Sequence, residues 1–254
     1  MPNPDALTPE RRLTDLLTEV PNAGDVFAAL ELDACCGERT LGGAAESAGL
    51  ELQDLVELLA DGDASALRAP HTPSDLDGAT LRRQVEFIVN VHHRYARRAL
   101  LRAHRLVLRA WSAHRGSASY LGEVRTLIQE ITDDLMPHMA REERFLFPYC
   151  ISLEEGISRD ARIHIPLHGN LDYPLVSIRH DHSDDTRRLS ELRRLTGDYD
   201  PPADGCPCIR ALLDHLAQLE RALQQHIRIE DDVLFPRAVE RERAARTRSA
   251  SGAS

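Results

Sequence analysis

The chain has 254 residues and a formal net charge of −10 at pH 7, and this length suffices for one large domain with a buried core and a smaller one beside it. A surface that binds nucleic acid needs concentrated basic residues, so the negative charge argues against nucleic acid as the main partner. Aromatic residues make up only 4% of a chain rich in Leu, Ala, Arg and Glu, which favours helices over strands. The predicted fold class is all-α.

The N-terminus lacks a basic segment followed by an apolar one, so we expect no signal peptide. No apolar run approaches the ~18 residues that a membrane span requires. We therefore expect a cytoplasmic protein without a membrane partner. The five cysteines are an odd number, and in a chain without an export signal we expect thiols rather than a disulfide framework.

Residues 1–62 are predicted to form a small helical domain. Thr8 is expected to cap the first of four short helices, with Pro9 at its first position, and Thr40 is expected to cap the third. Residues 63–79 lack a periodic apolar face and are rich in Gly, Asp, Ser, Ala and Pro. That composition is typical of a flexible linker.

Four long helical segments follow within residues 80–245, and residues 246–254 are expected to form a disordered tail. The segments are about 80–115, 119–155, 174–197 and 206–244. Apolar residues recur within them at steps of three and four, which is the spacing of a helix-bundle core. The sequence therefore predicts a four-helix bundle.

The pattern H-x3-E-x2-[FV]-L-F-P occurs twice, at His138–Pro148 and at His226–Pro236. Each copy puts an imidazole and a carboxylate four residues apart, hence on the same face of a helix. The apolar periodicity directs His138 and Glu142 inward, and likewise His226 and Glu230. A buried carboxylate is costly unless it is paired or bound to a metal, so the duplication points to a shared metal site.

The other two segments each contribute one inward histidine. In the first, His92 lies on the apolar face, whereas His93 falls about 100° away on an α-helix. In the third, His182 is in register with Leu189, whereas His180 falls off that line. Two iron ions at the centre would neutralise the glutamates, because carboxylates bridge hard cations and imidazoles complete their coordination. The alternative is a purely structural bundle without metal, with hydrogen-bonded histidines and solvent-facing glutamates.

Three stretches carry a family resemblance. The segment from His226 to Ala238 resembles the last helix of hemerythrin-like di-iron domains and, more narrowly, of the iron–sulfur cluster repair di-iron proteins (the RIC family). The stretch Leu32-Asp-Ala-Cys-Cys-Gly-Glu38 is similar to the cysteine-pair turn of that family's short first domain, and the stretch from Leu195 to Cys206 resembles its loop before the final helix. The resemblance covers nearly the whole chain in the right order.

The resemblance implies a non-haem di-iron centre with two bridging glutamates. Carried over residue by residue, its ligands are His92, His138, Glu142, His182, His226 and Glu230. On the third helix His182 is preferred, because the family has a leucine seven positions after the ligand, and His180 is the alternative. The cysteine pair, Cys35 and Cys36, is either a thiol pair acting on iron or a damaged cluster, or two buried small residues.

The remaining cysteines are expected to be structural. Cys150 is predicted to pack in the core. Cys206 and Cys208 lie at the start of the last helix, where the helix dipole lowers a thiol pKa, but packing is the favoured role for both. The histidines outside the motifs, His114 among them, are expected to be surface or packing residues.

The function implied by the resemblance is repair of iron–sulfur clusters damaged by nitrosative or oxidative stress. The di-iron centre would donate iron, reduce nitric oxide as an enzyme, or both, and the sequence does not separate these. The implied partners are damaged iron–sulfur proteins and the gases nitric oxide and oxygen. The alternative function is oxygen or nitric oxide sensing without turnover. The oligomeric state is left open, a homodimer included.

Overall fold

A computed structural model describes residues 7–20, 23–30, 32, 39–48, 50–61, 70, 72–114, 120–155, 170–200 and 206–251. The regular secondary structure in these ranges is helical, apart from one isolated antiparallel bridge between Arg12 and Thr40. The all-α prediction is therefore confirmed. Within the same ranges, no helix combines the length and apolar character needed to cross a membrane.

The N-terminal region contains four short helices with their own apolar core. These helices, α1 to α4, span Leu13–Glu19, Ala23–Ala29, Leu41–Ala48 and Leu52–Asp61. Helix α1 begins later than predicted, because the Pro9 and Arg11 carbonyls accept hydrogen bonds from the backbone at the start of α3. Thr40 caps α3 as predicted, since its hydroxyl accepts a hydrogen bond from the Gly43 amide at 3.3 Å.

The larger region is a bundle of four long helices, α5 to α8. Helix α5 comprises Leu81–Phe87, a π-helical segment Ile88–His93 and Arg94–Ala113. Helix α6 comprises Tyr120–Arg141, a π-helical segment Glu142–Leu146 and Phe147–Glu155. Helix α7 is Asp172–Leu195, and helix α8 comprises Pro207–Arg228, a π-helical segment Ile229–Leu234 and Phe235–Ser251. Helix α8 thus runs into the segment predicted to be a disordered tail.

Two of the π-helical segments lie just before Pro148 and Pro236, the last residues of the repeated motif. Proline cannot donate the usual backbone hydrogen bond and its ring crowds the carbonyl four residues earlier, so a widened preceding turn relieves the clash. The wider turn shifts the helix register. An uninterrupted α-helix that turns His138 and Glu142 inward would also turn Phe145 inward, but Phe145 is 51% exposed and the following residue Leu146 is buried instead.

The bundle core consists of two apolar sections with a polar layer between them. One section, around Ile128 and Leu216, fills the middle of the bundle, and the other, around Ile88 and Phe235, fills the end near residues 72–79. Part of the predicted linker packs on this end, where Leu76 is buried in the second section. The polar layer therefore lies where all four long helices face one another, enclosed by apolar side chains above and below.

The N-terminal helices contact the first long helix through two arginines. Arg105 on α5 forms an ion pair with Asp54 on α4. Arg109, one turn further along α5, donates to the backbone carbonyl of Glu46 on α3. These contacts hold the small helical unit against the flank of the bundle.

Candidate metal centre

Six side chains from all four bundle helices meet in the polar layer, and each is at most 2% exposed. They are His93 on α5, His138 and Glu142 on α6, His182 on α7, and His226 and Glu230 on α8. The motif spacing accounts for the contributions of α6 and α8, because residues four apart share a helix face. Helices α6 and α8 run in the same direction, from the apolar section around Ile128 and Leu216 to the section around Phe147 and Phe235. The equal position of each motif along its helix therefore brings both glutamates to the same depth.

The cluster divides into two halves that share both glutamates. In one half, Nε2 of His93 lies 3.5 Å from Glu142 and 3.6 Å from Glu230, and Nε2 of His226 lies 2.9 Å from Glu230. In the other half, Nε2 of His138 lies 3.3 Å from Glu142, and Nε2 of His182 lies 3.1 Å from Glu230. Each glutamate thus turns one carboxylate oxygen to each half. Two carboxylates that face both halves suit a pair of hard cations.

Several polar atoms inside the cluster lack hydrogen bonds. Both carboxylate oxygens of Glu142 and one oxygen of Glu230 are buried and accept none from the described residues, and the same holds for Nε2 of His138 and of His182. Buried polar atoms are nearly always paired, and an unsatisfied charged group costs several kcal/mol. The unpaired atoms all point into the shared centre, so the residues present fit a group of bound cations.

Acidic residues outside the cluster orient three of its imidazoles. Nδ1 of His93 lies 2.6 Å from Glu143, and Nδ1 of His138 lies 3.1 Å from Asp181. Nδ1 of His182 lies 3.1 Å from Asp231 in the same way. A carboxylate on Nδ1 fixes the tautomer that leaves Nε2 as the metal-facing nitrogen and raises its basicity. Arg97 and Arg141 in turn pair with Glu143 and Asp181 at 2.9 and 2.7 Å.

The pKa values describe the charge balance of the cluster without metal. Burial acts to lower the pKa of His93, but the hydrogen bond to Glu143 and the carboxylate of Glu230 raise it to about 9. The pKa of His182 is raised to about 10, because Asp231 and Glu230 outweigh its burial. Burial acts to raise the pKa of Glu230, yet the charge on His226 and the imidazoles of His182 and His93 beside its carboxylate hold it well below the usual value. Protons on the imidazoles therefore balance the glutamates until cations displace them.

The comparison with known families agrees with this arrangement. Residues 85–238, more than half of the chain, match the hemerythrin HHE cation binding domain. All six clustered side chains fall within that range. The chain belongs to the hemerythrin HHE family. The family's description as cation binding agrees with the unpaired donor atoms at the centre of the bundle.

Relatives of this hemerythrin HHE chain extend the match beyond the bundle. The iron-sulfur cluster repair protein YtfE of Edwardsiella ictaluri is 31% identical over 91% of this chain and 97% of its own length. YtfE of Musicola paradisiaca is 30% identical, covering 91% and 96% of the two chains. The iron-sulfur cluster repair protein ScdA of Staphylococcus haemolyticus is 24% identical, covering 90% and 98%. The resemblance to iron–sulfur cluster repair proteins is therefore confirmed over most of the chain.

The structure does not bring together all six residues predicted as ligands in this hemerythrin HHE domain. His92 was predicted on the inward face of α5, but the structure brings His93 into the cluster and leaves His92 outside it. The prediction counted residues along an uninterrupted α-helix, whereas Ile88–His93 is π-helical. The wider turn moves the inward position one residue along. His92 is still buried, its ring stacked 6.0 Å from that of His226, and burial lowers its pKa to about 3.

The other five predicted residues lie in the cluster. On α7 the structure brings in His182 and leaves the side chain of His180 75% exposed. Sequence reasoning missed His93, Glu143 and Asp231. The sequence did contain a signal for Glu143 and Asp231. In both copies of the motif an acidic residue directly follows the glutamate.

The cysteines divide into three groups. Cys35 and Cys36 lie outside the described residues, so their predicted thiol role stays a prediction. Cys150 is fully buried in the core, as predicted. The pKa of Cys206 is lowered to about 7 by hydrogen bonds from the Cys208 thiol and backbone and from His114.

Proposed function

We propose that this hemerythrin HHE protein binds two iron ions and acts in the repair of iron–sulfur clusters damaged by nitrosative or oxidative stress. The observation that carries the proposal is the arrangement of Glu142 and Glu230, each turning one carboxylate oxygen to each of two histidine pairs. The relatives named iron-sulfur cluster repair proteins, which this chain matches over about nine tenths of its length, support the cellular role.

The proposed ligands are His93, His138, Glu142, His182, His226 and Glu230. His93 replaces His92 in the set predicted from the sequence. The two glutamates supply two negative charges, and four imidazoles in the neutral form complete the coordination of hard cations. Bound iron would supply open positions for nitric oxide or oxygen, and it would itself be the material donated to a damaged cluster.

The protein's own residues prepare the site for both roles. Carboxylates on Nδ1 of three imidazoles hold Nε2 toward the centre, so the ligand positions exist before the cations arrive. The apolar sections on either side exclude water, which strengthens the electrostatic attraction between the glutamates and a cation. The imidazoles that hold protons in the metal-free chain release them on iron binding and take them back when iron leaves.

We further propose that Cys35 and Cys36 assist transfer between the centre and a client protein in the cytoplasm. The support is the resemblance of Leu32–Glu38 to the cysteine-pair turn of the cluster repair proteins. The contacts of Arg105 and Arg109 with Asp54 and Glu46 hold the N-terminal helices beside the bundle. A variant with both cysteines replaced by serine should keep its iron and lose cluster restoration, whereas full restoration would remove this part of the proposal.

The main test compares iron content and cluster restoration in three proteins. The wild type is expected to bind two iron ions per chain by elemental analysis and to restore activity to an iron–sulfur enzyme damaged by nitric oxide. The double variant His226→Ala, Glu230→Ala is expected to lose both properties. The control His180→Ala alters an exposed histidine on α7 and should keep both. Full iron content in the double variant would overturn the ligand set.

A second measurement separates iron donation from nitric oxide reduction. Reduced, iron-containing protein is mixed with nitric oxide, and the gas phase is analysed for nitrous oxide. Two ferrous ions supply the two electrons that convert two nitric oxide molecules and two protons to one nitrous oxide and water. Production of about one nitrous oxide per chain, without loss of iron, therefore supports reduction. Transfer of isotope-labelled iron into the restored enzyme, without nitrous oxide, supports donation.

A further inference from the structure

A second group of metal-ligating atoms lies at the other end of the bundle from the di-iron cluster. Cys206 is the N-cap residue of α8, and Cys208 lies in its first turn, on the other side of Pro207. His114 is the C-cap residue of α5. It follows His93 by about two thirds of the length of that helix, ~30 Å at 1.5 Å per residue. The two groups are therefore separate sites.

The three ligand atoms converge from two helices. The Sγ atoms of Cys206 and Cys208 lie 2.9 Å apart, and Sγ of Cys208 lies 3.4 Å from Nε2 of His114. All three atoms lie within 4.8 Å of one another. His114 is far from both cysteines in the sequence, so packing of α5 against α8, and not chain proximity, brings an imidazole onto the thiol pair.

These distances are close to those of a thiolate–imidazole metal site. In tetrahedral Zn²⁺ coordination, two sulfurs at ~2.3 Å from the ion lie roughly 3.7 Å apart, and a sulfur and an imidazole nitrogen roughly 3.5 Å apart. The sulfur–nitrogen distance already agrees. The sulfurs need to separate by roughly 0.8 Å, which a rotation about one cysteine side-chain bond supplies because Cys206 is only partly buried.

We propose that Cys206, Cys208 and His114 bind one thiophilic cation of the Zn²⁺ class. Two thiolates are soft ligands and imidazole suits Zn²⁺, so this set selects such an ion over the hard cations favoured by carboxylates. The positive end of the α8 dipole stabilises thiolates at its first turn. Two thiolates neutralise a divalent ion, and their two protons are released to solvent on binding.

Within the part of the chain that the structure describes, the site has three protein ligands, and both cysteines are partly exposed. These three ligands leave a fourth tetrahedral position for water or an exchangeable ligand, as in open rather than closed zinc sites. This assigns to the thiol pair a role beyond the packing expected from the sequence. The inference does not depend on the di-iron centre, since no residue is shared between the two groups.

The test uses Co²⁺ as a spectroscopic substitute for Zn²⁺. Reduced full-length chain carrying Cys35→Ser and Cys36→Ser is first loaded with iron and then titrated with Co²⁺ without oxygen. One Co²⁺ per chain is expected to bind with a sulfur-to-cobalt charge-transfer absorption, which the nitrogen and oxygen ligands of the other centre do not give. Zn²⁺ should displace it and abolish the absorption.

Single variants then assign the ligands. Cys206→Ser and His114→Ala are each expected to lower the Co²⁺ affinity by about 100-fold or more, since even outer partners of ligands contribute 10- to 100-fold. The control His104→Ala removes another partly buried histidine of α5, one hydrogen-bonded to Thr132, and should leave the absorption unchanged. The helical circular dichroism signal and the iron content show whether each variant is folded. If a cysteine variant misfolds, His114→Ala alone tests the site.

Three results would overturn the proposal. The first is a titration without any charge-transfer absorption. The second is a disulfide between Cys206 and Cys208 under reducing conditions, detected by mass spectrometry. The third is an unchanged affinity in folded His114→Ala. Loss of iron from the cluster of histidines and glutamates would contradict the proposed function, but it would not contradict this second site.

Discussion

Nδ1 of His93 lies 2.6 Å from a carboxylate oxygen of Glu143, the residue directly after a glutamate of the metal cluster. Two adjacent acidic residues at the start of a π-helical segment of α6 thus serve two purposes. Glu142 faces the centre of the cluster, while Glu143 fixes the orientation of an imidazole on the neighbouring helix. The same relationship recurs on α8, where Glu230 faces the centre and Asp231 holds His182.

Replacing Glu143 by Gln should weaken iron binding without removing a ligand. The amide lacks the charge that raises the basicity of His93 and no longer fixes its tautomer, so affinity should fall about 10- to 100-fold. Competition with a calibrated chelator measures the change. Glu123→Gln, at an exposed position of the same helix, is the control. Equal affinities for Glu143→Gln and the control would show that the contact does not orient the ligand.

The two adjacent histidines of α5 should respond in opposite ways to replacement. His93→Ala removes a proposed ligand and should lower the iron content from two ions per chain to one or none. His92→Ala removes a ring that lies outside the cluster and should leave the iron content unchanged, although it opens a small buried cavity. Elemental analysis of the iron content of both variants shows which of the two histidines is a ligand. Iron loss only in His92→Ala would restore the assignment made from the sequence.

The sequence predicted the inward positions well only up to the π-helical segments. Leu135, His138 and Glu142 follow an α-helical face and are all buried. Beyond Glu142 the register moves by one residue, so Leu146 is buried where Phe145 was predicted. Proline within the motif indicates a disturbed helix but does not specify whether the turn kinks or widens. Periodicity alone therefore fails immediately beside the site.

The error at His92 has a different origin. No proline lies in or just after Ile88–His93, so nothing local marks that segment as π-helical. Periodicity in a single sequence therefore does not reveal the wide turn there. The same limit applies to His114, whose contact with Cys208 joins the ends of two helices distant in the chain.

The loop that follows α7 offers a test of stability away from the metal. Gly197, Asp198 and Tyr199 all have positive φ values near 60°. The Tyr199 hydroxyl donates to the buried Glu220 carboxylate at 2.6 Å, and this contact anchors the loop to α8. Tyr199→Phe should reduce the free energy of unfolding by about 1–3 kcal/mol, because Glu220 keeps its burial but loses a donor.

Urea denaturation of the metal-free chain measures this effect. Tyr173→Phe, at a position 64% exposed, is the matched control and should change stability by less than about 0.5 kcal/mol. A loss for Tyr199→Phe no larger than that of the control would mean that Arg193 and Gln224, which lie 3.1 and 2.8 Å from Glu220, satisfy the carboxylate without Tyr199.

The buried His215 should make the metal-free chain less stable in acid. Its Nε2 donates to the Ala99 carbonyl at 2.8 Å, and burial lowers its pKa to about 3. Between an unfolded pKa of about 6.5 and this value, the unfolded chain binds a proton that the native chain does not. Stability should therefore fall as the pH falls through this window, by up to about 1.4 kcal/mol per pH unit from this residue.

His215→Gln isolates that contribution, because glutamine can donate to the same carbonyl but does not titrate. The free energy of unfolding is measured by urea denaturation at several pH values between about 6.5 and 4, and the variant should show the smaller loss in acid. Other titrating groups act equally in both proteins and cancel in the difference. His180→Gln, at an exposed position of α7, should follow the wild type. Parallel curves for wild type and His215→Gln would mean that His215 reaches water and binds its proton in the native chain.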